Sequence, residues 1–449
     1  MERVKIALLG LGTVGTGVWN IIRNNGGEIE HRTGCRIEIA KALVRDKYKS
    51  RSIEPPEEVL TTDFDDILAD EDIKIIVEVI GGVEPARRYI ESAIEHGRHV
   101  VTANKLLISR HGEELAAKAA AAGVSLRYEA SVCGGIPIIN TIRESLNADK
   151  IEEITGIVNG TTNYILSRMS GTGCGFKDAL KEAQARGFAE ADPTSDVDGY
   201  DAVYKLRILT KLAYGVDVSE QRIYREGISG ITAEDIAYAK ELGYEIKLLA
   251  VSRNTGGALD VRVHPAMVPA WHSLARVQDA YNAVRIKGNA VGELLFYGKG
   301  AGELPTGSAV VNDILNIAKK GIAAVAAEEA EAYVHKSNLK RTIDIQYVKF
   351  PYYLRLDIKS KTGAMQRIIK ILSDNDIRIA SMIKKEKQSK QNAVVFLSHE
   401  AVEYNMRNAV QQITCLTDAI EIGNLIRLES LGGGSVESEY AAERSRLYS

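Results

Sequence analysis

Long apolar runs, paired cysteines and an excess of one charge are all missing from this 449-residue chain. No apolar run approaches the roughly 18 residues that a membrane-spanning helix needs, so the sequence predicts no such helix. The formal net charge is −3 and no basic stripe occurs, so nucleic acid is not an expected partner. The four cysteines lie far apart without C-x-x-C spacing, which indicates neither a disulfide framework nor a zinc site; they are Cys35, Cys133, Cys174 and Cys415.

The composition is typical of a globular enzyme, with 45% hydrophobic and 26% charged residues. The length predicts two or three domains. The charged start Met1-Glu2-Arg3 opens directly into an apolar strand, without the pattern of a secretory leader. We therefore expect a soluble, cytoplasmic protein.

A glycine-rich turn follows the first predicted strand, Val4 to Leu9. The turn has the G-x-G-x-x-G spacing and precedes an amphipathic helix predicted from Val14 to Asn25, which is the setting of a dinucleotide-binding fingerprint. Amides at the start of the helix would face the cofactor phosphates. The expected cofactor-binding residues of this turn are Gly10, Leu11, Gly12, Thr13, Val14 and Gly15.

Strands and helices alternate over the first 130 residues, which predicts an α/β domain with a doubly wound parallel sheet. Strands are predicted at 36–44, 73–80, 98–102 and 124–128, and helices at 85–96 and 112–122. Ligands bind at the carboxyl ends of such strands. The predicted strands end at or just before Gly81, Thr102 and Lys105, so we expect these residues to contact cofactor or substrate. Lys105 is expected on a loop, and the alternative is that its side chain is simply solvated.

The cofactor preference is predicted by the residues after the second strand. Arg45 and Lys47 favour the 2′-phosphate of NADP, whereas Asp46 could still accept a ribose hydroxyl, so NAD stays possible. Further along the chain, Gly187 and Gly302 belong to glycine-containing turns that we also expect to contact the cofactor.

An Asn-Gly-Thr-Thr turn follows a strand predicted at 151–158 and leads into a helix predicted from Tyr164. Its amides and hydroxyls suit an anion such as a substrate carboxylate, so Gly160, Thr161 and Thr162 are candidate substrate-binding residues. The alternative is that Thr161 or Thr162 only caps the helix.

Asp201 and Lys205 are four residues apart and project from one face of a predicted helix. Alone, such a pair is more typical of a surface salt bridge worth about 0.3–0.5 kcal/mol. The preceding turn, bracketed by Gly187 and Pro193, aims Glu190 at the same region. A lysine held near acids and withdrawn from water can act as a proton donor.

Seven motifs, in order, cover nearly the whole chain: GLGTVG, VVTANK, EASVCGGIPI, GIVNGTTNYIL, GFAEADP, DVDGYDAVYKLRIL and GAGELPTGSAVVNDI. Together they resemble the homoserine dehydrogenase family. The resemblance implies reversible hydride transfer between L-aspartate 4-semialdehyde and L-homoserine, in the synthesis of threonine, isoleucine and methionine. It also implies a homodimer or homotetramer. Two alternatives are a related amino-acid dehydrogenase and a non-catalytic amino-acid sensor.

The resemblance also implies roles for individual residues. It casts Lys205 as proton donor, Glu190 and Asp201 as substrate-binding residues, and Lys105 as a residue near the reacting end of the substrate. A monovalent cation site, usually sodium in the family, maps onto four positions of this sequence. They are Glu129, which would give a carboxylate, and Val132, Gly134 and Ile136, which would give backbone carbonyls. The alternative for Glu129 is a salt bridge at a strand end.

The C-terminal part has a predicted βαββαβ order that resembles an ACT domain, with threonine as a possible effector. Its first loop, Ser360 to Gly363, lacks the Asp-Pro that usually precedes the turn glycine. We expect a chain ending near Arg341 to fold without this module. The predicted domains are 1–132 for nucleotide binding, completed by 303–330; 133–302 for substrate binding and dimerisation; 348–430, the ACT-like module of ferredoxin type; and 431–449, a disordered tail.

Overall fold

The computed structural model describes residues 2–320, 341–359, 363–386, 391–416 and 420–429. They form two compact units. The first contains residues 2–160, 201–220 and 281–320; the second contains 161–200, 221–280 and the described residues from 341 onwards. The units therefore divide the predicted substrate domain, 133–302, between them. The predicted tail and most of the loop 360–363 lie outside the described residues.

The secondary structure alternates strands and helices through most of the chain. The strands are β1 (Glu2–Leu9), β2 (Cys35–Leu43), β3 (Leu60–Thr61), β4 (Ile73–Glu78), β5 (His99–Thr102), β6 (Leu126–Arg127), β7 (Ile151–Ile157), β8 (Tyr224–Arg225), β9 (Tyr244–Asn254), β10 (Ala258–Pro269), β11 (Tyr281–Gly288), β12 (Gly292–Lys299), β13 (Arg341–Thr342), β14 (Lys349–Phe350), β15 (Tyr352–Lys359), β16 (Ile379–Glu386), β17 (Gln391–Ser398), β18 (Ala401–Val402) and β19 (Ile420–Leu428). The helices are α1 (Thr13–Thr33), α2 (Asp65–Leu68), α3 (Ala86–Glu95), α4 (Lys105–Ala121), α5 (Ile138–Asn140), α6 (Gly160–Thr172), α7 (Phe176–Ala185), α8 (Thr194–Val197), α9 (Tyr200–Tyr214), α10 (Ala233–Glu241), α11 (Glu303–Lys320), α12 (Ala364–Asp374) and α13 (Glu403–Thr414). None of the described helices is long and apolar enough to cross a membrane.

The first unit contains the predicted doubly wound sheet. Six strands run in the order β3-β2-β1-β4-β5-β6, and every pairing is parallel. Leu8, Val77 and Val101 are fully buried in its core, as expected for central strands that are covered on both faces. The predicted Rossmann-like fold is confirmed.

Three helix starts or ends differ from the predictions. Helix α1 continues through Gly26-Gly27 to a left-handed Gly34 at φ 70°. Helix α4 begins at Lys105 rather than Gly112, because the Asn104 side chain caps it by accepting from the Leu107 amide at 3.1 Å. Helix α6 begins at Gly160, so the prediction that Thr161 or Thr162 caps it from outside is wrong.

An antiparallel sheet also belongs to the first unit. Strand β11 pairs with β12 on one side and with β7 on the other, with Ala283 opposite Ile157. Because β7 ends at Ile157, the next residues, Val158 and Asn159, leave the sheet beside the start of β11. This register brings the carbonyl of Val158 into hydrogen-bond contact with Asn282, which is fully buried.

The second unit is built on the long antiparallel pair β9 and β10. The C-terminal residues have the predicted βαββαβ order, and their strands run β19-β15-β17-β16 with helices α12 and α13 packed on an apolar core. This module is joined to β10 by parallel pairing with β19, where Ala266 is opposite Arg427 and Met267 is opposite Leu428. The module and the β9–β10 pair thus form one compact body.

Buried charges strengthen that junction. Arg262 of β10 is fully buried and forms ion pairs with Asp260 and with Glu429, which follows β19. Arg355 of β15 donates to Asp235 of α10 at 2.8 Å. The expectation that the module can be removed near Arg341 therefore needs revision, because its removal takes away partners of charges that are buried in the remaining part of the unit.

Candidate active site

The glycine-rich turn has the geometry that a dinucleotide requires. Gly10 has φ +109°, and its amide donates to the Leu43 carbonyl at 3.0 Å. A Cβ at Gly15 would overlap the Gly10 carbonyl oxygen, so this helix position requires glycine. At Gly12, by contrast, no neighbouring atom lies within 4 Å of the place that a Cβ would take. The turn thus leaves Gly12, which precedes helix α1, accessible to a phosphate.

Arg45 lies just beyond the carboxyl end of β2 and is exposed. Among the described residues, no hydrogen bond or ion pair engages its guanidinium. The neighbouring Arg51 differs, because its guanidinium donates to the carbonyls of Asp46 and Lys49. The Asp46 carboxylate accepts from the Tyr48 amide at 2.8 Å. Arg45 is therefore an available cation of this loop, which also carries Lys47 and Lys49.

The ends of β4 and β5 are joined by the buried carboxylate of Glu78, which no motif of the sequence marks. Glu78 accepts from the Thr102 hydroxyl at 2.5 Å and from the amides of Ile80 and Gly81 at 2.9 and 3.1 Å. Burial raises the pKa of Glu78. Thr102 is fully buried, so its hydroxyl shapes the strand ends; Asn104 continues the connection by donating to the Gly82 carbonyl at 2.6 Å.

Two lysines share one buried carboxylate in the first unit. Asp201 is 2% exposed; its Oδ2 accepts from Lys205 at 2.7 Å, and its Oδ1 lies 2.7 Å from the Lys105 ammonium. Although burial acts in the opposite direction, the charges of Lys205 and Lys105 hold the pKa of Asp201 well below its usual range. Asp201 is thus ionised and pairs with both ammonium groups, which makes it their shared buried counter-ion.

Lys205 is 8% exposed, and three further groups support its ion pair with Asp201, either directly or through a shared partner. The Lys205 ammonium donates to the Val158 carbonyl at 2.7 Å. The same carbonyl also accepts from the Asn282 side-chain amide at 2.9 Å. Asn159 donates to Asp201 Oδ2 at 2.8 Å. Asn159 belongs to the Asn-Gly-Thr-Thr motif and could have been found there, but nothing in the sequence around Asn282 marks it.

Two other loops of the first unit lie close to this group. Gly134 approaches the Gly300 carbonyl so closely that a Cβ would lie 2.6 Å from it, and Gly302 has φ +119° just before helix α11. Cys133, which precedes Gly134, is buried, and its burial raises the pKa of the thiol to about 11. Cys133 is therefore a packed, protonated thiol and not a nucleophile.

Glu129 lies at the start of the segment that maps onto the cation site. Its carboxylate accepts from the amides of Ile139 and Asn140 at 2.9 and 2.7 Å, and its amide donates to Asp313 at 2.8 Å. Burial, followed by the nearby Asp313 charge, raises the pKa of Glu129 to about 7. In the described part of the chain, the Glu129 carboxylate forms no salt bridge, so the alternative of a strand-end salt bridge is not supported.

The donor set fits a hard monovalent cation. The Glu129 carboxylate is buried beside a second carboxylate, an arrangement that a cation would stabilise. Val132, Gly134 and Ile136 belong to one short turn, although the Ile136 carbonyl already accepts from the Ile138 amide at 2.8 Å. Within the described residues, no three His, Cys, Asp or Glu side chains are grouped to hold a metal, so a cation would depend on backbone oxygens.

The other predicted residues belong to the second unit. Thr161, in the first turn of α6, donates to the Phe188 carbonyl at 2.6 Å, so the Asn-Gly-Thr-Thr and GFAEADP motifs meet there. Thr162 is buried. Gly187 has φ +75°, which turns the chain after α7. Glu190 is exposed on the loop between α7 and α8, where its carboxylate is accessible to a cationic ligand.

The Lys105–Asp201–Lys205 group can stabilise and protonate an oxygen that gains negative charge. A lysine donates a proton readily once a developing alkoxide is within hydrogen-bond reach, and a buried counter-ion keeps it oriented. The same unit contains a glycine turn that can hold a dinucleotide, so it carries the groups that hydride transfer to a carbonyl requires.

Comparisons with known proteins agree with this chemistry. Family models described as "Homoserine dehydrogenase, NAD binding domain" and "Homoserine dehydrogenase" match residues 10–129 and 137–315. The chain is 41% identical over 438 residues to the homoserine dehydrogenase of Neisseria gonorrhoeae and 38% identical over 434 residues to that of Bacillus subtilis; each alignment covers 96% of this chain and 100% of the relative.

Solved structures of homoserine dehydrogenases are also similar to this chain. The crystal structure of a homoserine dehydrogenase from Thiobacillus denitrificans matches with a TM-score of 0.87 at 42% identity, over 96% of this chain and 99% of that one. A hyperthermophilic archaeal homoserine dehydrogenase in complex with NADPH matches with a TM-score of 0.61 at 27% identity, over 71% of this chain and 99% of that one.

Proposed function

Because this chain belongs to the homoserine dehydrogenase family and is a nicotinamide-dependent homoserine dehydrogenase, we propose that Lys205 is the proton donor of its reaction. The observation that carries this proposal is the shared buried counter-ion, Asp201, which holds the ammonium groups of Lys205 and Lys105. The alternatives, another amino-acid dehydrogenase or a non-catalytic sensor, are not favoured by the relatives. Oxidation of NADPH with L-aspartate 4-semialdehyde, measured against a panel of keto acids, tests substrate and activity together.

The nicotinamide cofactor supplies the hydride when it is bound. The residues of the chain then stabilise and protonate the oxygen that gains negative charge. As the aldehyde carbon gains hydride, its oxygen becomes an alkoxide, which takes a proton from the Lys205 ammonium. In the reverse direction, neutral Lys205 accepts the hydroxyl proton of homoserine. Lys105, whose side chain is 42% exposed, is placed to stabilise the same oxygen or the substrate carboxylate.

Asp201 is proposed to orient the two lysines rather than to hold the substrate ammonium. Its carboxylate already interacts with Lys205, Lys105 and Asn159 and is nearly inaccessible to solvent. Glu190 is exposed, and its side chain has no such partners among the described residues, so we assign the substrate ammonium to Glu190. Gly160, Thr161 and Thr162 are proposed for the substrate carboxylate.

Glu190→Gln is expected to raise KM for homoserine by about 10- to 150-fold, because a charge-assisted bond of roughly 1.5–3 kcal/mol is lost. Cofactor affinity should not change. Steady-state kinetics with each substrate varied in turn measures both constants. Asp178→Asn, an exposed acid on α7, is the control and should leave both unchanged. Equal weakening of cofactor and homoserine binding by Glu190→Gln would assign this residue to another site.

NADP is the proposed cofactor, with NAD as a weaker substitute. Arg45→Ala should weaken NADP binding by about 1–3 kcal/mol and barely change that of NAD, since only NADP carries the 2′-phosphate dianion. Fluorescence titration with both reduced cofactors measures the difference. Arg51→Ala is the matched control, because that guanidinium is already bound to backbone carbonyls. Parallel losses for both cofactors in Arg45→Ala would contradict the assignment. Contacts from Gly81, Gly187 and Gly302 are part of the same proposal, whereas Thr102, which is fully buried and donates to Glu78, supports the strand end from inside.

A monovalent cation, sodium in the first instance, is proposed for Glu129 with the carbonyls of Val132, Gly134 and Ile136. It would neutralise a buried carboxylate and stiffen the turn beside Cys133. Without a cation, the pKa of Glu129 is raised from its ordinary value of 4.5 to about 7 in the folded protein. Between these two pH values, the folded protein therefore binds more protons than the unfolded protein. The stability contributed by this group is then full below 4.5 and is lost as the pH rises through about 7.

Sodium should therefore raise Tm at pH 8 but have little effect at pH 5, when compared with choline chloride at equal ionic strength. Glu129→Gln should abolish the difference between the two salts, and Glu114→Gln, on the half-exposed surface of α4, should retain it. Identical melting curves in both salts at pH 8 would count against the site.

A homodimer or homotetramer is proposed as the assembled form, and threonine is proposed as an effector of the ACT-like module. In the described sheet, edge strand β12 pairs only with β11 and exposes Leu295 and Tyr297, which a second copy could cover. The βαββαβ order of residues 348–430 supports an ACT-like module. Light scattering that gives the monomer mass would contradict the first proposal; an absence of threonine binding in calorimetry would contradict the second.

A further inference from the structure

A buried ion cluster connects the C-terminal module to strand β8 within the second unit. Arg427, 2% exposed, donates to Glu403 at 2.8 Å and to Glu226 at 2.8 Å. Arg427 also donates to the Tyr224 hydroxyl at 2.9 Å. That hydroxyl accepts a second hydrogen bond from Arg407 at 2.7 Å and donates to Glu226 at 2.8 Å. The Tyr224 hydroxyl is thus the point at which the module's two arginines meet β8.

Residues on either side of Glu226 pack against the turn that precedes helix α9. Ile228 donates to the Val197 carbonyl at 2.8 Å. Arg225 lies 3.6 Å from the centre of the Tyr200 ring and donates to the Asp198 carbonyl. Because a Cβ at Gly227 would overlap the Val197 carbonyl, the two backbones are in direct contact.

The turn is short and leads directly to the catalytic group. Tyr200 is the first residue of α9, Asp201 follows it, and Lys205 is one helical turn further on. Lys205 and Asp201 depend on hydrogen bonds of 2.7 Å. A displacement of about 1 Å in such a group can cost about 10²-fold in rate.

We propose that Tyr224, Glu226 and Arg427 are positioning residues of the reaction, which hold the Asp196–Tyr200 turn and thereby the orientation of Asp201 and Lys205. This inference rests on the proposed role of Lys205. It assigns to the C-terminal module a part in catalysis that needs no effector: the module fixes β8, β8 fixes the turn, and the turn sets the first residues of α9.

Tyr224→Phe tests the inference, because it removes one hydroxyl and leaves every charge in place. We expect kcat for homoserine oxidation to fall by at least about fivefold, while KM for homoserine and for NADP stays within about twofold and the pH profile of kcat shifts. Glu226→Gln, at a partly exposed position, is a second variant that should act in the same direction.

Tyr353→Phe is the matched control. Its hydroxyl also donates to a carboxylate in a buried arginine cluster, Asp235, at 3.1 Å. Within the described residues, no contact of Asp235 or Arg355 reaches the Asp196–Tyr200 turn. It should lower Tm as much as Tyr224→Phe and leave kcat unchanged. The inference is overturned if both phenylalanine variants lower kcat equally, or if neither does. Lys205→Ala separates the two proposals, because its retained activity would refute the proposed proton donor itself.

Discussion

Lys205→Ala is expected to lower kcat by about 10²-fold or more in both directions, because the alkoxide loses its proton donor. KM for the cofactor should change little, since the glycine turn is untouched. Lys205→Arg should not restore turnover, because arginine gives up no proton at working pH. Stopped-flow measurement of NADPH oxidation, together with a circular dichroism spectrum of each variant, separates lost chemistry from lost fold.

The control for this substitution lies on the same helix. Lys211 also ion-pairs with a carboxylate, Glu113, but it does so at the surface. Lys211→Ala should therefore retain kcat within about twofold, as most surface substitutions do. A Lys205→Ala enzyme that keeps more than half of the wild-type kcat would rule out the assignment and direct attention to Lys105.

A chain that ends at Ile426 is expected not to fold, although it lacks only three of the described residues. Those residues include Glu429, which pairs with the fully buried Arg262, and Arg427, which pairs with the fully buried Glu403. Removing one partner of a buried pair costs about 3–5 kcal/mol, and a typical domain has only about 5–15 kcal/mol of stability. Two such losses consume most of that stability.

A chain that ends at Leu431 is the control, because it keeps every described contact. It should be expressed in soluble form, unfold cooperatively and turn over like the full-length protein. A chain cut near Arg341 should fail as well, since β10, with Met267 and Val268 fully buried, would lose its neighbouring strand and expose an apolar edge. Cooperative unfolding and turnover by the chain ending at Ile426 would show that the module is separable after all.

The Rossmann-like sheet was predictable because its signals are local. Apolar runs of strand length, a glycine fingerprint and alternating helices lie along the chain, and parallel strands place their carboxyl ends at one edge. The helix starts at Lys105 and Gly160 were predicted several residues too late. Periodicity is weak in their first turns, and the Asn104 cap that starts α4 is a side-chain contact.

What the sequence by itself determined is the fold of the nucleotide-binding part, the family, and the pairing of Asp201 with Lys205, because a spacing of four residues places both on one helical face. Only the tertiary structure decided that Lys105 shares this carboxylate, that Asn282 and Val158 support Lys205, and that the C-terminal module is joined to β10 by buried charges. These contacts join residues that lie tens to hundreds of positions apart. The burial that makes such charges costly to separate exists only after the chain has folded around them.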